Sequence, residues 1–297
     1  MYSLDDDGFM IVRGLLTEEE VLRYRRQIQK LSGINDSDFG QKVFECSDGV
    51  SRNREFWPLV TNPQLISVLR ELRGPTLRYT QHSDLHAHRT GGWHRDCACR
   101  TYGVGPDWSA DGDPYQVVRV AIYLQSYQES GSSLGVVPGS HRFEQKLSDD
   151  EWHVWAGGQQ HSTLAQRILR RLGLRREAPL PERSMVMWTH PEKTTPSCPL
   201  WIQTEPGDCI IFDQRLYHSA SPIHGPKYAI YLSYSPENQH ARNHMGYYRY
   251  FRKDLAYDDL DPDLVTVLHQ EKLFMAAPPP ESVDGYFANE SERLLSE

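Results

Sequence analysis

The chain has 297 residues, 38% hydrophobic and 24% charged, with a formal net charge of −8. That is enough apolar material for a substantial core and too much for a disordered segment. The acidic balance offers no basic surface for nucleic acid, and no stretch reaches the length of a membrane-spanning helix.

The acidic opening Met1–Asp7 lacks the apolar run of a secretory leader. The five cysteines (46, 97, 99, 198 and 209) are odd in number and scattered, which suits a reducing cytosol better than a disulfide framework. A cytoplasmic location is therefore expected. Cys97-Ala98-Cys99 lacks the usual zinc spacing and has no second cysteine pair. The arginine-rich run 167–176 has apolar residues at helical spacing, so its arginines read as a solvated helix face.

In chain order, Gly8–Val12 reads as a short strand. Thr17-Glu18-Glu19-Glu20 is a capping box that starts a helix closed by Gly33. Asn62-Pro63 starts a second helix that presents Leu65, Ile66, Val68, Leu69 and Leu72 to a core. After Gly74-Pro75 the segments become short, β-rich and punctuated by turns. The strands expected are 77–88, 117–125, 134–137, 184–188, 200–204, 209–212 and 228–234. Between 143 and 200 an insertion carries a helix at about 162–172, and 276–297 reads as a Pro-containing polar tail. The organisation expected is one domain over 1–275, mostly β with flanking helices, in a β-sandwich or jelly roll.

The chemistry gathers at Trp93-His94-Arg95-Asp96 and at His218, which follows the buried-strand pattern Cys209–Phe212. Two imidazoles and one carboxylate make the facial triad of non-heme Fe(II) oxygenases, leaving three octahedral positions for co-substrate and dioxygen. On a strand, residues two apart share a face, which would aim His94 and Asp96 at one ion. His224 is a second choice for the distal ligand, but it lies in the turn-like Ile223-His224-Gly225-Pro226. His141 sits in the turn signal Pro138-Gly139-Ser140-His141 and reads as structural. His82, His86 and His88 alternate, so they are expected on one strand face, either at the mouth of the site or in water.

Four segments in order resemble the phytanoyl-CoA dioxygenase family of Fe(II)/2-oxoglutarate-dependent oxygenases. They are Asp7-Gly8-Phe9 with its capped helix, Trp93-His94-Arg95-Asp96, the glycine-rich run 129–142 ending Pro-Gly-Ser-His-Arg, and Gly207-Asp208 ahead of His218. The resemblance covers roughly residues 5–235. It implies a double-stranded β-helix, a cupin-like jelly roll, with Fe(II) held by His94, Asp96 and His218. It also implies 2-oxoglutarate and dioxygen as co-substrates, with oxidation of an unactivated C–H bond in a small molecule.

One departure concerns the arginine that in this family holds the far carboxylate of 2-oxoglutarate, about ten residues past the distal histidine. Here Lys227 stands at that place, which keeps a positive charge but loses the planar fork. Arg89, Arg119 and Arg215 are reserve candidates. With Asp96 present, hydroxylation is expected rather than the halogenation of relatives that lack the carboxylate. Two other readings of the triad are a cupin-like Zn(II) hydrolase or isomerase, and a non-catalytic binding protein on the oxygenase fold. Loop 97–116 and the insertion are expected to shape the substrate pocket, in a monomer or homodimer.

Overall fold

Short strands with small residues on one face build the molecule around a polar hollow. The structure is a computed structural model and describes residues 2–143, 200–255 and 257–283. The expected helix at 162–172, the strand at 184–188 and the tail beyond 283 lie outside the described residues.

Ten strands are described: β1 (Phe9–Val12), β2 (Phe44–Ser47), β3 (Leu77–Tyr79), β4 (Asp84–Ala87), β5 (Val118–Tyr123), β6 (Leu134–Val136), β7 (Leu200–Trp201), β8 (Cys209–Asp213), β9 (His218–Ala220) and β10 (Tyr228–Pro236). They form a seven-stranded sheet in the order β1-β8-β5-β10-β4-β2, with β3 also pairing β10, and a three-stranded sheet β7-β6-β9. Every pairing is antiparallel. This is the mostly β, jelly-roll arrangement with flanking helices that the sequence implied. Among the described residues the two sheets do not close into a barrel.

Period-two alternation gives the large sheet two chemically different faces. Val118, Val120 and Ile122 on β5, with Ile230 and Leu232 on β10, join the apolar core. Against it lie the helices Glu18–Ser32, which buries Val21, Tyr24 and Ile28, and Pro63–Arg73, which buries Leu65, Ile66 and Leu69. Each fully buried aliphatic side chain contributes about 1.5–3 kcal/mol relative to exposure. Both helices start on side-chain caps. Thr17 Oγ1 accepts from Glu20 N while Glu20 accepts from Thr17 N at 2.9 Å, and Asn62 Oδ1 accepts from Leu65 N at 3.0 Å. Gly33, with φ of +68°, ends the first in the left-handed conformation that glycine adopts without strain.

The opposite face carries the residues between these in register. Across the sheet Glu45 pairs with His86, which pairs with Ala229, which pairs with Tyr123. The next row is Ser47, Asp84, Tyr231 and Ala121, and beyond it Arg119 stands opposite Ser233. Alanine and serine at four of these places leave a hollow that the ionisable side chains of their neighbours enter.

Three expectations are corrected. Residues 77–88 form two strands, β3 and β4, separated by a break in which Gln81 has φ of +61°. His82, His86 and His88 therefore do not share one face, because His82 lies in the break and His88, with φ of +56°, turns away. His94 is not in a regular strand; it forms an isolated antiparallel bridge with His218. Strand β2 and the helix Gln239–Gly246, continued as a π-helical turn over Tyr247–Phe251, were not foreseen. No helix among the described residues is long and apolar enough to cross a membrane.

Candidate active site

The hollow is a cavity of about 370 Å³ lined from both sheets and from the Tyr247–Phe251 turn. His94, Asp96 and His218 meet in its wall, with their ligating atoms all within 4.8 Å of one another. His94 Nε2 lies 3.3 Å from Asp96 Oδ1, and His218 Nε2 lies 3.6 Å from Asp96 Oδ2. Ligand atoms at right angles around an ion with bonds of about 2.1 Å would be about 3 Å apart, so little movement is needed to close on a metal.

The backbone sets this geometry. His94 N donates to His218 O at 2.8 Å and His218 N donates to His94 O at 3.0 Å, joining two segments distant in sequence. Asp96 N and Cys97 N both donate to Gln214 O, at 2.9 and 3.0 Å. The side chains are oriented just as firmly. His94 Nδ1 is 2.6 Å from Gly92 O, and His218 Nδ1 is 2.8 Å from Leu216 O. A carbonyl only accepts, so each Nδ1 carries the proton and each Nε2 presents a lone pair toward Asp96. Burial and the neighbouring His94 pull the His218 pKa down, which favours the neutral, ligating imidazole. Burial alone would raise the Asp96 carboxyl, but Arg119 and the two imidazoles hold it well below the usual carboxylate range. This donor set fits a divalent metal ion.

Around the triad, Arg119 is fully enclosed. Its guanidinium bonds Asp84 and His82, and its Nε lies 3.5 Å from Asp96 Oδ2. His82 stacks on Tyr248 with ring centroids 3.7 Å apart and touches His244 through Nδ1 at 3.1 Å. Burial and Arg119 push its pKa well down, so it is a neutral ring. Tyr248 donates to Asp96 O at 3.1 Å, which ties the π-helical turn to the triad segment.

Lys227 reaches the same cavity from the residue before β10. Its Nζ donates to Arg89 O at 2.7 Å and faces the Tyr123 ring at 5.9 Å. It has no ion pair with any described carboxylate. Burial, with Arg89 adding to it and Glu45 opposing, lowers its pKa to about 7.

The other candidates divide cleanly. Arg89 lines the rim but is paired with Glu45 at 2.7 Å. Arg215 is held by Asp213 at 3.0 Å and lies outside the cavity wall. His224 is exposed, 3.4 Å from Gln128 O, and does not line the cavity. His141 fastens the N-terminal segment through Asp5 O at 3.0 Å. His86 lines the cavity, whereas His88 lies against Asn35 O at 3.1 Å. Sequence reasoning passed over Asp84, Arg100, Tyr248 and Arg252, which also line it.

The glycine-rich segment packs the lid of the small sheet. A Cβ at Gly135 would lie 1.8 Å from the Trp201 ring, so only glycine admits that indole. Trp201 in turn packs on Trp93, with centroids 5.8 Å apart, next to His94. Asp208, from the Gly-Asp turn, accepts from Gly14 N at 2.8 Å and Glu205 N at 2.9 Å, pinning β8 to the N-terminal segment.

The sequence profile of the phytanoyl-CoA dioxygenase family matches residues 4–230. The chain belongs to that family. Membership places it among the iron- and 2-oxoglutarate-dependent oxygenases. No curated protein matches the chain by sequence. Among solved structures it is similar to HygX from Streptomyces hygroscopicus with nickel and 2-oxoglutarate bound: 17% identity, 79% of this chain and 85% of that one, TM-score 0.50. The iron-bound form of HygX gives 18%, 79%, 84% and 0.50. EctD from S. alaskensis with bound Fe gives 16%, 78%, 74% and 0.49. At these identities the HygX likeness is one of fold, and the EctD match carries no argument.

Proposed function

We propose that this family member is a hydroxylase of a small-molecule substrate, in which His94, Asp96 and His218 hold Fe(II) and Lys227 receives the distal carboxylate of 2-oxoglutarate. The observation that carries the reading is the pairing of three converging ligand atoms with a buried lysine that has no described carboxylate partner, in one cavity. HygX, which shares the fold, was crystallised with nickel and 2-oxoglutarate bound. With iron bound, the metal and co-substrate supply the oxidising power for cleaving a C–H bond. The balanced reaction is R–H + 2-oxoglutarate + O₂ → R–OH + succinate + CO₂.

The protein's own part is positional. The backbone carbonyls of Gly92 and Leu216 keep both imidazoles in the ligating tautomer. Arg119 keeps Asp96 ionised and fixes its outer oxygen. Leu134, Phe212 and Tyr231 form dry walls where water would otherwise compete. Residues 1–275 act as one catalytic domain in this reading, since lining residues from Glu45 to Leu255 face a single cavity.

The test is anaerobic titration of the metal-free protein with Fe(II) and then 2-oxoglutarate, read by the weak visible charge-transfer band of the chelate. A saturable band, lost in His94→Ala and weakened in Lys227→Met, is expected. Tight iron binding without the band would overturn the co-substrate assignment, and absence of iron binding would overturn the triad.

A further inference from the structure

Five cationic side chains line the cavity: Arg89, Arg100, Arg119, Lys227 and Arg252. Three are matched by acids. Arg89 pairs with Glu45 at 2.7 Å, Arg119 pairs with Asp84, and Arg252 grips Asp254 through two bonds of 3.0 and 2.9 Å. Lys227 and Arg100 are ion-paired with no described carboxylate. Of these two, Lys227 is assigned above to the co-substrate. Arg100 remains.

Arg100 lies past the triad segment, and its guanidinium faces the Tyr247 ring at 5.9 Å. Its Nε is sealed from solvent without a hydrogen-bond partner among the described residues. A buried donor left unmade costs about 1–3 kcal/mol, and more for a charged group. Arg100 as a whole lines the cavity, so an anion arriving there meets its charge. Arg252 lines the same cavity, and Tyr248, which hydrogen-bonds Arg100, donates to Asp96 O at 3.1 Å. Like charges held together inside a protein favour an anion between them.

The sheet register separates this place from Lys227. Lys227 precedes Tyr228, which pairs with Ala87, at the Glu45–His86–Arg89 end of the cavity. Tyr248 stacks on His82, beyond Asp84 at the other end of β4, and Arg100 is held with it. Roughly 3.3 Å per residue along β10 puts the level of Lys227 about 20 Å from that of Ser233, opposite Arg119. The two cations without a described carboxylate partner therefore belong to different ends of the cavity.

We propose that Arg100, with Arg252, forms an oxyanion subsite for the substrate. The substrate is then an anionic small molecule, a carboxylate or a phosphate ester, anchored by its charged group at the end of the cavity away from Lys227. This rests on the hydroxylase reading for its biological meaning, but the subsite itself is testable without iron.

The experiment is calorimetric titration of inorganic phosphate, and separately of acetate, into the metal-free full chain, its Lys227→Met variant and its Arg100→Gln variant. Lys227→Met should retain an oxyanion site that 2-oxoglutarate does not compete for. Arg100→Gln should weaken that site by about tenfold or more, a loss of about 1.4 kcal/mol. Arg100→Lys should restore part of it, and unchanged melting temperatures would exclude misfolding as the cause. Preference for phosphate would assign a phosphate ester, and equal or better binding of acetate a carboxylate; either supports the subsite. Oxyanion binding indifferent to Arg100→Gln overturns it. So does a 2-oxoglutarate charge-transfer band weakened as much by Arg100→Gln as by Lys227→Met, because Arg100 would then belong to the co-substrate. A wild-type protein that gives no band yet binds phosphate through Arg100 would fail the hydroxylase reading and leave the subsite standing.

Discussion

Arg119 Nε stands 3.5 Å from Asp96 Oδ2, on the oxygen that also faces His218. The same guanidinium bonds Asp84, so one buried cation serves two buried carboxylates. Removing it leaves Asp84 with no cation, its remaining contacts being the Tyr257 hydroxyl at 3.3 Å and the neutral His82 ring at 3.7 Å. Arg119→Gln should therefore destabilise the metal-free protein by about 3–5 kcal/mol, the usual cost of leaving a buried charge unpaired. Adding Asp84→Asn should recover a large part of that loss. Urea unfolding of the single and double variants measures both, and additive losses would refute the shared-cation arrangement.

Loss of any triad member should be far more damaging to metal binding than to folding. Asp96→Ala is expected to abolish substrate-dependent succinate formation and to weaken iron binding strongly, with melting of the metal-free protein little lowered. Iron content after dialysis and succinate assays decide it. Near-wild-type turnover in Asp96→Ala would remove the carboxylate from the ligand set.

If Lys227 receives the co-substrate as proposed, binding should depend on pH. Its ammonium, surrounded by Arg89, Glu45, His86 and Tyr123, is charged below a pKa of about 7 and neutral above it. A dianionic co-substrate binds the charged form, so its affinity should be full below pH 7. Above pH 7 it should fall by up to about tenfold per unit. Folding responds in the opposite sense. The unfolded lysine keeps its proton to about pH 10.4, so this group adds stability as pH rises from about 7 toward that value. Lys227→Arg, which stays charged throughout, should flatten the affinity profile. A 2-oxoglutarate titration at several pH values checks this, and an unchanged slope in Lys227→Arg would count against the assignment.

Gly135→Ala tests the link between the glycine-rich segment and the metal site. The added methyl would overlap the Trp201 ring, which leans on Trp93 beside His94. Overpacking of this kind costs about 1–3 kcal/mol. The expected result is a lower melting temperature together with weaker iron binding. A lower melting temperature with unaltered iron affinity would show that the indole pair does not position His94.

Much of the fold was legible where a local signal fixes a local structure. The Thr17–Glu20 box and the Asn62-Pro63 start each satisfy helix-end donors, and both helices begin where those residues stand. The strand β2 was not legible, since Phe44–Ser47 is four residues of mixed character and pairs only with distant β4. The break at Gln81 was equally hidden. Its positive φ is sustained by a side chain reaching Asp48 and Asp258 O, both at 2.7 Å and both remote in sequence. The three converging residues stood in recognisable spacing because each lies in a short segment with its own local pattern. Arg100 and Tyr248 did not, because what places them at the cavity is the packing of the Tyr247–Phe251 turn against residues about 150 positions earlier.

The His94–His218 bridge bears on how the site is filled and emptied. Two segments far apart in the chain already exchange both backbone hydrogen bonds, and their rings are already turned inward. An arriving ion then has little chain to organise, so the cost of ordering falls on folding rather than on metal uptake. Such a receptacle keeps its shape between occupants. If these residues hold the proposed ion, its loss and replacement require no refolding of the chain.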